Sequence, residues 1–158
     1  MAIVRLSEHF HLSEFTVSDT AARMGRKIEP TPEQIDAARA LCVNVLEPVR
    51  GHFGAVILSS GIRPLWLNRI IGSSDNSQHV QGEASDFTCP RHPVEDVARW
   101  IADPANRIPF DQLIWEFDQW IHVSYSDRHR REVLTAKHDG TRTVYMPGMV
   151  PFNNETVG

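Results

Sequence analysis

The sequence predicts an α+β fold, a small and mainly antiparallel sheet with helices packed on one side. Two stretches, residues 31–54 and 93–103, carry apolar residues at helical spacing. Several short runs rich in β-formers lie between and after them, and two of these runs are separated only by a tight turn. With 158 residues and 41% hydrophobic content, the chain can bury one core but not comfortably two. Residues 1–158 are therefore read as a single domain, with its core at about 7–126 and a partly ordered C-terminal tail at 127–158.

"LSEHFHLSEFTVSDTAARMG" offers a short helical turn at Ser13 and Glu14, then a polar stretch ending at Gly25, and reads as a wrap over the core. In "TPEQIDAARALCVNVLEPVRGHFG", Thr31 is an N-cap, Pro32 fits the first turn and Gln34 completes a capping box. Ile35, Ala38, Cys42, Val45 and Val49 mark its buried face, and Pro48 should kink or end the helix near Leu46 or Glu47. "AVILSS" and "EASDFT" read as strands. Between them, Ser59 to Phe87 is polar and rich in Gly and Ser, with little regular period. "PVEDVARWIAD" is a second helix, with Val94, Val97, Ala98 and Ile101 on one face. "FDQLIWEF" and "WIHVSYS" form a hairpin turning near Asp118 and Gln119. A last strand is expected at "RTVYM", and the final residues are expected to be loose.

Charge and composition narrow the function. A net charge of -4, with Lys and Arg scattered along the chain, argues against a nucleic-acid partner. No apolar run approaches the roughly 20 residues that span a bilayer, so membrane insertion is not expected. "MAIVRLSEHFHLSEF" lacks the pattern of a signal peptide, and cytoplasmic synthesis is the expectation. Cys42 and Cys89 fit that compartment as unpaired structural thiols.

The chemistry gathers around three residues. His79 precedes Asp86 by seven positions, through a loop that turns at Gly82, and His122 lies in the middle of a hairpin strand. Neighbouring strands of one sheet could bring the three together. Two imidazoles and a carboxylate are the ligand set of a catalytic zinc site with a fourth position open. Such a site needs a base nearby, and Glu116 and Asp118 both stand just before His122. Plain alternatives exist for each: a surface loop histidine, a packed strand histidine, a turn-closing aspartate and solvated hairpin charges. The H-x6-D spacing alone is a loose pattern.

Taken together, "SSGIRPLWLNRIIGSSDNSQHVQGEASDF" and "FDQLIWEFDQWIHVSYS" closely resemble the M15 family of zinc D-Ala-D-Ala carboxypeptidases and related peptidoglycan peptidases, especially its short phage and prophage members. "HFHLSEFTVSDTAARMG" and "VLEPVRGHFG" are similar to that subgroup as well, so the resemblance covers about residues 7–126. It rests on S-G-x-R-P, S-x-H-x-x-G-x-A-x-D and W-x-H-x-S in succession. The resemblance implies a hedgehog/DD-peptidase-like fold and one Zn2+ held by His79, Asp86 and His122. It implies that Arg63 holds a carboxylate or polarises the scissile carbonyl. Ser77, Gln78, Trp120 and Ser124 become candidate substrate contacts, with loop capping as the alternative for Ser77 and Gln78.

The family pattern is not matched everywhere. Many relatives carry an acidic residue three positions before the last histidine ligand, where this chain has Gln119. Glu116 resembles the glutamate that ends the corresponding strand in the short subgroup and is preferred as base over Asp118. The implied activity is hydrolysis of peptidoglycan stem peptides by a monomer acting on the bacterial wall, as a D-Ala-D-Ala carboxypeptidase or an L-Ala-D-Glu endopeptidase of phage lysin type. A non-catalytic, metal-containing module of a phage particle is the alternative.

Overall fold

The computed structural model describes residues 3–152; the expectation of loose final residues falls on 153–158, outside the described residues. The fold is α+β, with helices alongside a six-stranded sheet whose strand order is β1-β2-β4-β3-β5-β6. The strands are β1 (Ile57–Ser60), β2 (Ala84–Thr88), β3 (Gln112–Glu116), β4 (Trp120–Ser124), β5 (Glu132–His138) and β6 (Thr143–Pro147). All neighbours are antiparallel except β3 and β5, which run parallel.

The N-terminal segment does wrap the core: Leu6, Phe10 and Phe15 are buried there. It forms a 3-10 turn at Leu12–Thr16 and then a short helix, α1 (Asp19–Arg23), that the sequence pattern did not show. Ser18 caps α1 by accepting the Ala21 N–H. The main helix starts as expected, at α2 (Pro32–Leu41), and the Thr31 and Gln34 side chains each accept the other's backbone N–H.

The helix does not end at Pro48. A π turn, Cys42–Leu46, links α2 to α3 (Glu47–Phe53), and the Glu47 N–H bonds to the Cys42 carbonyl five residues back. In regular α geometry the proline ring would clash with a carbonyl four residues earlier; the widened turn relieves that conflict and lets the helix run on. The polar stretch after β1 holds another unexpected element, α4 (Leu65–Ile71), which follows Pro64 and puts Leu67 and Asn68 inside. Helix α5 (Val94–Ala102) buries Val97, Ala98 and Ile101, the face its spacing predicts.

Strand alternation divides the sheet into two faces. Phe87, Leu113, Trp115, Ile121 and Val123 join the core with Leu41, Val45, Val49 and Ile101. Asp86, Gln112, Ile114, Glu116, Trp120 and His122 face the other way and line a cleft of about 610 Å³. The stretch read as a tail supplies both β5 and β6, so the sheet extends two strands beyond the hairpin. Strand β6 had been expected from "RTVYM"; β5 had not.

The loop between α4 and β2 is pinned against α2. Gln34 Nε2 donates to the Val80 carbonyl at 2.8 Å. Gly82, at φ +76°, passes so close that a Cβ there would lie 2.5 Å from the Gln34 carbonyl oxygen. Both the backbone angle and the space demand glycine. Gly82→Ala is expected to lower stability by roughly 2–3 kcal/mol, read as a lower urea midpoint at unchanged slope.

Candidate metal centre and cleft

Asp86 and His122 meet because β2 and β4 pair in register with these two residues directly opposite one another. His79 arrives from the pinned loop. His122 Nδ1 lies 3.1 Å from Asp86 Oδ1 and 3.2 Å from His79 Nε2, and His79 Nε2 lies 3.3 Å from Asp86 Oδ1. A tetrahedral ion with ligand bonds near 2.0–2.1 Å requires ligand-to-ligand edges of about 3.3 Å. The three atoms therefore already have the spacing of three corners of such a shell.

Second contacts orient these side chains. His79 Nδ1 donates to the Gly61 carbonyl at 2.8 Å, which fixes the proton there and leaves Nε2 free to face the cluster. Gly61 itself packs against the Phe15 backbone, where a Cβ would come within 2.7 Å of Cα. His122 Nε2, on the far side of its ring, is buried without a hydrogen-bond partner among the described residues. Burial opposes ionisation of Asp86, but the imidazoles beside it outweigh that and hold its carboxyl far below the usual range.

The two candidate bases occupy different surroundings. Glu116 lines the cleft on the same sheet face as His122. Burial, and then the Asp86 charge, push its pKa up to about 7, with His122, Trp120 and Arg63 pulling it back in part. Asp118 sits in the turn with Phe117, both at positive φ, and its carboxylate accepts the Trp115 indole N–H at 3.0 Å. It does not line the cleft.

Arg63 reaches the cleft from the loop after β1. Its Nη1 donates to Asn68 Oδ1 at 3.0 Å and its Nη2 to Ser60 Oγ at 3.3 Å. Burial lowers its pKa somewhat, against the raising charges of Asp86 and Glu116. Asn68 is a residue that the sequence reading passed over. It is wholly buried and donates to the Ser74 carbonyl at 2.7 Å, so one amide ties Arg63 to the loop preceding His79. A polar residue on the inward side of "LWLNRII" was the available signal.

The expected substrate contacts separate into two groups. Ser77, Gln78 and Trp120 all line the cleft, whereas Ser124 is wholly buried and its hydroxyl accepts the Gln112 N–H. Ser77 Oγ accepts the His79 N–H, a loop-capping bond. Gln78 Nε2 donates to Asp111 Oδ2 at 2.8 Å. Asp111, also missed from sequence, is fully buried and is held by Arg130 through Nε, Nη2 and its backbone N–H, and by Arg128 Nη2. Burial alone would raise the Asp111 pKa, but these donors win and keep it strongly depressed. They join the loop bearing His79 to the crossing from β4 to β5.

Elsewhere, Cys42 and Cys89 are buried free thiols. Glu8, His9 and Glu47 form a second group of possible ligands, but it is largely exposed, and Glu47 is already engaged by the His9 backbone and ring. Among the described residues no helix is long and apolar enough to cross a membrane.

A family model described as Peptidase M15 matches residues 8–124. The chain belongs to the peptidase M15 family. No curated protein matched it. M15 peptidases are zinc-dependent, and among the described residues His79, Asp86 and His122 are the buried or half-buried group that could hold a metal ion. The match ends at the last residue of β4, so β5 and β6 lie outside it.

The raised Glu116 pKa has a consequence for stability of the metal-free M15 chain. Below its ordinary value of 4.5 the carboxyl is neutral whether folded or unfolded, and above about 7 the folded chain bears the cost of an ionised, half-buried group. The stabilising preference for the proton is thus lost as pH rises through 7. Metal-free Glu116→Gln should be more stable than the parent by about 2 kcal/mol at pH 8, with the difference fading toward pH 4.5. Thermal or urea unfolding of both proteins across this range measures it.

Proposed function

We propose that this chain is a zinc peptidase that hydrolyses peptide bonds in the stem peptides of bacterial peptidoglycan. The observation that carries the reading is the convergence of His79 Nε2, His122 Nδ1 and Asp86 Oδ1 in a cleft also lined by Glu116 and Arg63, in a chain of the M15 family. When bound, zinc supplies a Lewis acid and lowers the pKa of water toward neutrality.

The protein groups divide the remaining work. Glu116 takes the proton of the attacking water at its carboxylate and returns it to the leaving amine, so water and peptide become acid and amine without a covalent intermediate. Glu116 lines the cleft on the same sheet face as His122, where its carboxylate can reach a water held beside the three candidate ligands. The Arg63 guanidinium, braced by Asn68 and Ser60, faces the carbonyl oxygen as it gains charge. Trp120 offers an apolar wall, and Ser77 and Gln78 lie on the loop side of the bound peptide. Resemblance to short phage and prophage members supports a lysin role for a monomer acting on the wall.

Mass spectrometry of stem peptides after incubation with zinc-loaded protein tests the reading. Loss of one terminal alanine from pentapeptides identifies a carboxypeptidase; a cut between L-Ala and the acidic residue identifies an endopeptidase. Glu116→Gln should keep zinc and lose about 10²- to 10⁴-fold in kcat, while Asp118→Asn stays near the parent. Activity should be lost on chelation and should fall in acid, where protons compete with the metal for its ligands. Zinc-independent cleavage, or none with any wall chemistry, would defeat the proposal.

A further inference from the structure

The β5–β6 hairpin lies outside the stretch matched by the family, yet it forms one wall of the cleft. Leu134 of β5 and Tyr145 of β6 both line it. Register explains how. Tyr145 pairs with Ala136, Ala136 with Glu116, and Glu116 with Trp120, so the four residues form one row across four strands on the cleft face.

The row has a gap in side-chain bulk at the position that matters. Ala136 stands between Tyr145 and Glu116 and is fully buried. Two strand spacings place the Tyr145 and Glu116 backbones roughly 10 Å apart, a span that a phenol and a glutamate side chain, extending toward one another over a methyl group, can largely close. A larger residue at Ala136 would hold them apart. The Tyr145 phenol does feel the cleft's charges: after burial, Glu116 and then Asp86 raise its pKa.

Tyr145 is also free to act. It is 54% exposed, and its hydroxyl makes no hydrogen bond among the described residues. Neighbouring Val144 and Met146 point to the other face by alternation, so β6 presents this one aromatic hydroxyl to the cleft. Across the sheet, Arg63 comes in from the β1 edge. The scissile bond would thus lie between a guanidinium on one side and a phenol on the other.

We propose that Tyr145 is a further catalytic residue, one that donates its hydroxyl hydrogen bond to the peptide carbonyl oxygen as charge develops on it. The phenol keeps its proton throughout, and no bond to it is made or broken. The inference rests on the peptidase reading above. It makes the hairpin beyond the family match part of the active site, where an edge ribbon would otherwise only extend the sheet.

The test compares zinc-loaded parent and Tyr145→Phe on the stem peptide that the parent cleaves. Thermal midpoint and zinc affinity by chelator competition serve as readouts independent of turnover. The expected result is a drop of about 10- to 100-fold in kcat with KM, midpoint and zinc affinity nearly unchanged, the signature of a bond made mainly in the transition state. A parent that cleaves while Tyr145→Phe stays within twofold overturns the role of Tyr145 and leaves the peptidase reading intact. A parent that cleaves nothing overturns both.

Discussion

The pairing of β2 with β4 is the constraint on which the site depends. It puts Asp86 opposite His122, and the period of a strand is two. A slip of one residue in either strand would turn one of them into the core and bring an apolar partner such as Phe87 or Ile121 into the cleft. The apolar face therefore protects the polar one. Phe87, Ile121 and Val123 are wholly buried, and any register that exposes them is penalised by lost burial. The third member, His79, is not in a strand and needs other restraints. It has them in the Gly61 carbonyl on its ring, the Gln34 contacts at Val80 and Gly82, and the Asn68 and Asp111 hydrogen bonds that brace the loop from two sides.

This division between strand and loop decides what could be read from the residues alone. The hairpin β3–β4, helix α5 and the start of α2 announce themselves through period and capping, because their signals are local. His79, Asp86 and His122 could be picked out by type, but their meeting depends on strand order, which no local pattern encodes. Asn68 and Asp111 were missed for a related reason. Each is a buried polar residue whose partners, Arg63 and Ser74 for one and Gln78, Arg128 and Arg130 for the other, come together only in three dimensions.

The misread elements share a physical cause as well. Helices α1 and α4 are short, so neither spans enough turns to show an amphipathic period. Pro48 argued for a helix end because a lone proline usually does; the π turn that accommodates it keeps Cys42, Val45 and Leu46 buried on the same rod. Strand β5 carries Glu132, Thr135, Lys137 and His138 and looks like solvated chain. Its place is fixed by parallel pairing with β3, and its middle, Thr135 and Ala136, is buried by neighbours far away in sequence.

Asp86 is held ionised between two imidazoles, while Glu116, on the same face two strands away, is pushed toward the protonated form partly by that same Asp86 charge. Arg63 offsets only part of the repulsion. A divalent cation among His79, Asp86 and His122 would reverse the balance, favouring the ionised Glu116 that a base requires. Linkage then runs both ways: whatever protonates Glu116 weakens the hold on the cation, and whatever holds the cation readies Glu116. One buried carboxylate, Asp86, would thus couple the binding of a metal to the ionisation of the proposed base, and the sheet register that places Asp86 would set both.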